Sequence, residues 1–176
     1  MKTVAGLFDT HHDAEQAVNA LQNMGIKKEQ ISVLARETVL RERTTDPAAA
    51  ATGALGGGTL GGLAGLLLGM TTTVIPGIGP VITAGTLATT LGTTGLGAVA
   101  GGILGAMTSA GIPDEYAHVY AESVRRGGIV LTIEVEDEQV SSALEALERA
   151  NAVNIAARRD ELRREGWEYF DETRSE

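Results

Sequence analysis

The side chains that could do chemistry are few and scattered. His11 and His12 stand beside Asp13 and Glu15, types that could ligate a metal. Adjacent histidines point in different directions on a helix or turn, however, and no third ligand follows at a motif spacing. A solvated helix start accounts for them better. His118 lies between Tyr116 and Tyr120, with Glu115 and Glu122 near one helical face. Such a cluster reads as surface or packing. The glycine-rich GALGGG from Gly53 lacks the Gly-Lys-Ser/Thr ending of a phosphate loop and follows no strand. No serine is placed with a histidine and an acid in a nucleophile motif, and no carboxylate pair stands out from the acidic background. The chain reads as non-enzymatic, with no catalytic, cofactor or metal residues.

The remaining chemistry is that of packing, and it is concentrated in the middle of the chain. Residues 47–113 contain no Asp, Glu, Lys, Arg or His, yet carry 18 of the chain's 23 glycines. A water-facing surface carries charges every few residues, so this zone is expected to be turned away from water. Gly53, Gly57, Gly61, Gly65 and Gly69 recur every four residues, which on a helix forms one stripe. Each interior glycine costs about 1 kcal/mol against alanine, so such a helix must gain from close packing on a partner. A second stripe of small residues follows at the same spacing: Gly85, Thr89, Thr93, Gly97, Gly101, Gly105 and Ser109. Between them lies IPGIGP, whose Pro76, Gly77, Gly79 and Pro80 predict a tight turn. The expectation is a glycine-zipper helical hairpin. Its arms, Ala48–Thr73 and Val81–Ala110, would be about 39 Å and 45 Å long. Either could span a hydrocarbon core of about 30 Å.

The flanking zones predict the elements that hold this hairpin. Thr3–Phe8 reads as a strand, and a helix capped by Thr10 or Asp13 runs to about Met24, where Gly25 stops it. Ile31–Ala35 reads as a second strand. Pro113 opens a helix that ends at Arg125, Arg126 and Gly127. Ile129–Glu136 alternates strictly and predicts a strand; Glu138–Ala150 is amphipathic and predicts a helix. Asn154–Ala157 reads as a short fourth strand. Two β-α-β units predict an α+β fold, a ferredoxin-like sandwich interrupted by the hairpin. The expected division is 1–46 for the first half, 47–112 for the hairpin, 113–158 for a helix and the second half, and 159–176 for a charged tail.

Composition narrows the partners. A net charge of −9 argues against nucleic acid, which needs clustered Lys and Arg. The chain has no cysteine, which removes disulfides and thiolate metal sites. The start MKTVAGLFDTHHDAEQ lacks the apolar core of a signal peptide, so cytoplasmic synthesis without export is expected. The expected partners are a second copy of the chain and membrane lipid. Arg41, Arg43, Arg125 and Arg126 flank the hairpin, so insertion would keep both termini cytoplasmic at the cytoplasmic membrane. The alternatives are a cytoplasmic homo-oligomer with the hairpins as its core, and a ferredoxin-like regulator that senses a small ligand. Trp167, Tyr169 and Phe170, half of the chain's six aromatics, either dock on their own domain or anchor to a neighbouring subunit or a membrane interface.

VAGLFDTHHDAEQAVNALQNMGI, IPGIGP, GIPDEYAHVYAESVRRGGIVLTIEV and GWEYF, in that order, resemble the general stress protein 17M-like (YflT-like) family of bacteria. The resemblance implies a stress-induced protein, often expected at membranes, and supplies no catalytic residues. The tail from Asp160 is less typical of that pattern.

Overall fold

The computed structural model describes residues 2–39, 71–75, 78–85, 102–109 and 111–171. Strand β1 (Lys2–Phe8) leads into helix α1 (His11–Asn23) and strand β2 (Ile31–Arg36). Strands β3 (Thr71–Ile75) and β4 (Gly79–Ala84) follow, then helices α2 (Gly102–Ser109) and α3 (Asp114–Arg125). Strand β5 (Ile129–Val135) and helices α4 (Val140–Arg149) and α5 (Ile155–Arg164) complete the order. Among the described residues the strands form one sheet, ordered β1-β5-β2-β4-β3, in which every neighbouring pair is antiparallel. The fold is α+β.

Local chemistry sets the outer elements. Thr10 accepts the Asp13 N–H at 3.1 Å and caps α1; Gly25, at φ +87°, ends it as a left-handed glycine should. Thr10 also donates to the Asp13 carboxylate, which lowers the Asp13 pKa, with Asn151 adding to the effect. Thr10→Ala is expected to cost about 1 kcal/mol in urea unfolding. In an NMR titration the same variant should move the Asp13 pKa back upward. A depressed carboxyl stabilises the fold above its unfolded pKa and loses that contribution as pH falls through the folded value, so the variant should also be less sensitive to acid.

Alternation along the strands divides the core in two. Val4, Phe8, Val33, Ile129, Leu131 and Ile133 face α1 and α4, where Val18, Leu21 and Leu147 meet them. Leu7, Leu34, Val81 and Val130 face the other way, onto Ile103 and Met107 of α2 and Ala117, Tyr120 and Val124 of α3. Helices therefore cover the sheet on both faces. β1 and β2 run parallel to one another with β5 between them, because each is antiparallel to β5.

Two expectations are corrected. The helical arms were to run through Thr73 and from Val81; instead 71–75 and 79–84 are paired strands, with Thr73 opposite Val81 and Ile75 opposite Gly79. TTTVI and VITA are rich in β-branched residues, which lose side-chain freedom in a helix and pack well on a sheet. Pro76 and Gly77 of IPGIGP lie outside the described residues, and the strands on either side of them pair with each other. Asn154–Ala157 is not a strand either. Only Val153 bridges, donating its N–H to Leu7 O at 2.8 Å. Asn154 then caps α5 through the Ala157 N–H at 3.0 Å.

Candidate functional site

Of the nine glycines expected to line the zipper, Gly53, Gly57, Gly61, Gly65, Gly69, Gly97 and Gly101 lie outside the described residues, as do Pro76 and Gly77. Gly105 sits within α2, and a methyl group built on it would meet no atom within 4 Å. Gly85 is not helical. It follows β4 at φ +81°, and a Cβ there would lie 2.3 Å from Ile31 O. That conformation lets β4 pass closely against β2. Gly79 opens β4 at φ +92°, and Pro80 follows within the strand opposite Val74.

The aromatic tail is folded onto its own chain in part. Phe170 is buried in the second core and Trp167 packs at its edge, while Tyr169 is 61% exposed. The seat of Phe170 is a cluster of charges that the sequence reading did not single out. Glu122, 1% exposed on α3, faces Arg125 Nη2 at 2.5 Å and accepts from Arg126 Nε at 2.7 Å. Arg126 reaches across to Glu165 at 2.5 Å, at the end of α5. The Glu122 hydrogen bond is the main cause raising the Arg126 pKa, with Glu165 adding to it. The Arg125 guanidinium lies 5.7 Å from the centre of the Phe170 ring, within cation–π range. Arg36 donates to Arg125 O at 2.9 Å, placing a cation at the C-terminus of α3. The helical spacing Glu122, Arg125, Arg126 was the signal available for this clamp.

Further ion pairs hold α5 in place. Arg159 meets Glu115 of α3, and Arg158 meets Asp9 at 2.6 Å beyond the end of β1. The histidines are absorbed in the same way. His118 Nδ1 accepts the Phe170 N–H at 3.3 Å, which leaves the ring proton on Nε2, 3.8 Å from Asp114. His12 Nε2 contacts Gln16 at 2.7 Å. Among the described residues no three His, Cys, Asp or Glu side chains come together as a metal site would need.

A small groove of about 160 Å³ opens between β1, α3 and the start of α5, lined by Thr3, Ala5, Ile112, Tyr116, Tyr120 and Ile155. Its volume is about half the lower end of the range for small-molecule pockets. Burial, with Tyr116 nearby, pushes the Tyr120 hydroxyl up to about 12, so it stays protonated and donates to Ala5 O at 3.4 Å. Around the docked Phe170 ring the described charges are paired.

The described residues define an α+β protein. Residues 3–75 match the family model of the heat induced stress protein YflT domain. The match ends on the last residue of β3, short of the GWEYF segment to which the sequence resemblance extended. No curated protein and no solved structure matches the chain. Among the described residues no helix is long and apolar enough to cross a membrane.

Proposed function

We propose that this is a non-catalytic bacterial stress-response protein that self-associates through its uncharged glycine-rich segment and attaches by it to the cytoplasmic membrane. One observation carries the reading: the uncharged run of residues 47–113, with small residues every four positions, interrupts an otherwise charged chain. The match of residues 3–75 to a heat induced stress protein family model supports the stress role.

The body fits a ferredoxin-like arrangement. Counting Val153 as a rudimentary edge strand beside β1, the order Val153, β1, β5, β2 is that of two interleaved β-α-β units. On this reading β3 and β4 extend that sheet at the far edge. The strand pair also favours attachment from one side of the bilayer. With β2, β3 and β4 in one sheet, the chain between Arg36 and Thr71 begins and ends on the same body. It is shorter than the roughly 40 residues that two crossings need. Both termini then stay on the cytoplasmic side.

Replacing Gly61 by leucine puts a branched side chain where helices are expected to approach closely. Sedimentation of the full chain should give a smaller particle for Gly61→Leu than for the unaltered protein. Equal particle size and equal membrane association would contradict the packing role.

A further inference from the structure

The two edges of the sheet differ. In an antiparallel ladder, alternate residues turn their N–H and C=O toward opposite neighbours. The Val153 N–H to Leu7 O bond sets the phase: Thr3, Ala5 and Leu7 turn away from β5. Tyr120, donating to Ala5 O, agrees. That edge is therefore closed by Val153 and by the Tyr120 hydroxyl. Carried across the sheet through the observed registers, the same phase turns Ser32 and Leu34 toward β5, and Val33 and Ala35 toward β4. Gln30 Nε2, which donates to Glu134 O at 2.9 Å, fits it. On β4 the residues turned toward β3 are Gly79, Val81 and Thr83, so Pro80 turns toward β2. There the missing N–H costs nothing, because β2 ends at Arg36, opposite Val81. On β3 the phase then leaves Thr72 and Val74 with N–H and C=O turned outward.

Among the described residues this outer edge, TTTVI, carries no charge, proline or bulge to protect it. Both outward residues are exposed, Val74 at 73%. The geometry points to β3 as a strand-addition interface that takes β3 of a second copy of this chain, antiparallel, about a two-fold axis at Thr73. Self-complementarity of the edge favours a second copy. With the axis at Thr73, Thr72 of one chain lies opposite Val74 of the other, and Val74 opposite Thr72. The two outward residues of each strand thus form the hydrogen-bonded pairs of the new ladder, which is what an isologous contact requires. The result is one continuous sheet through two five-stranded halves. This contact is separate from the glycine-rich segment and does not depend on the membrane reading.

The chain has no cysteine, so a single introduced thiol reports the contact. Thr73 would face its own copy in a non-hydrogen-bonded pair, with Cα atoms about 4.5 Å apart, within disulfide range. Under mild oxidation the full-length Thr73→Cys protein should form a covalent dimer, and the exposed Glu138→Cys control should not. Adding Val74→Pro removes an outward N–H and no internal bond. It should abolish the cross-link and halve the sedimenting mass with an unchanged far-ultraviolet spectrum. Val74→Lys should do the same if the proline variant loses its fold. Gly61→Leu should leave the cross-link intact, so failure of the glycine contact and failure of this one are distinguishable. The proposal is overturned if Thr73→Cys cross-links no better than Glu138→Cys, or if the folded Val74 variants keep the full mass.

Discussion

Gly85→Ala is expected to lower the stability of the protein by about 2–5 kcal/mol, read as a fall in the urea midpoint at constant slope. Alanine at φ +81° loses about 1–2 kcal/mol to the left-handed conformation alone. Its Cβ would also stand 2.3 Å from Ile31 O and 2.8 Å from Ser32 Cα. Those are backbone atoms of β2, which cannot turn aside, so β4 and β2 must separate. Overpacking of that kind costs about 1–3 kcal/mol. The sign decides between two roles for this residue. On a helix, as the four-residue spacing suggests, the same change would stabilise by roughly 1 kcal/mol. Gly105→Ala is the matched control. Gly105 is helical with open space around it, and its replacement should raise stability by about 0.5–1 kcal/mol.

Glu122→Ala should cost about 2–3 kcal/mol and release the tail. The carboxylate is buried and neutralises two guanidinium groups, with Arg125 itself 14% exposed. Removing one partner from a buried ion pair leaves an uncompensated charge, for which about 3–5 kcal/mol is typical. The lower figure applies because Arg126 is 45% exposed and keeps Glu165. Arg125 would be left over the Phe170 ring without its counter-charge. Limited proteolysis after Arg163 or Arg164 should accelerate in this variant before global unfolding does. Glu122→Gln keeps one hydrogen bond to Arg126 and should fall between the variant and the unaltered protein.

Legibility from sequence varied with the physical signal. β5 was plain because Ile129, Leu131, Ile133 and Val135 fall at every second position. α1 and α3 were plain because Thr10, Gly25 and Pro113 punctuate them. β3 and β4 were hidden because two periodicities overlap. The four-residue recurrence of small residues runs up to Gly69 and resumes at Gly85, and it masked the β-branched runs between. Glycine spacing marks where backbones can approach, not which element approaches. At Gly85 the close neighbour is a strand in the same chain. Asn154 was misread for a related reason: an apolar triplet, Ile155–Ala157, resembles a short strand until the asparagine is recognised as a cap. The Glu122 clamp was missed because its spacing is that of any exposed helix pair. Burial, which makes it matter, comes from tertiary packing around α3, which helical spacing does not show.

Flotation tests the central claim most directly. Lysate containing the full chain, tagged at either terminus, is loaded beneath a density gradient and the protein is followed by blot. The account predicts that it rises with the lipid and that both tags remain accessible from the cytoplasmic side. A protein that stays dense and runs as one large particle contradicts membrane attachment and makes the glycine-rich segment the core of a soluble assembly.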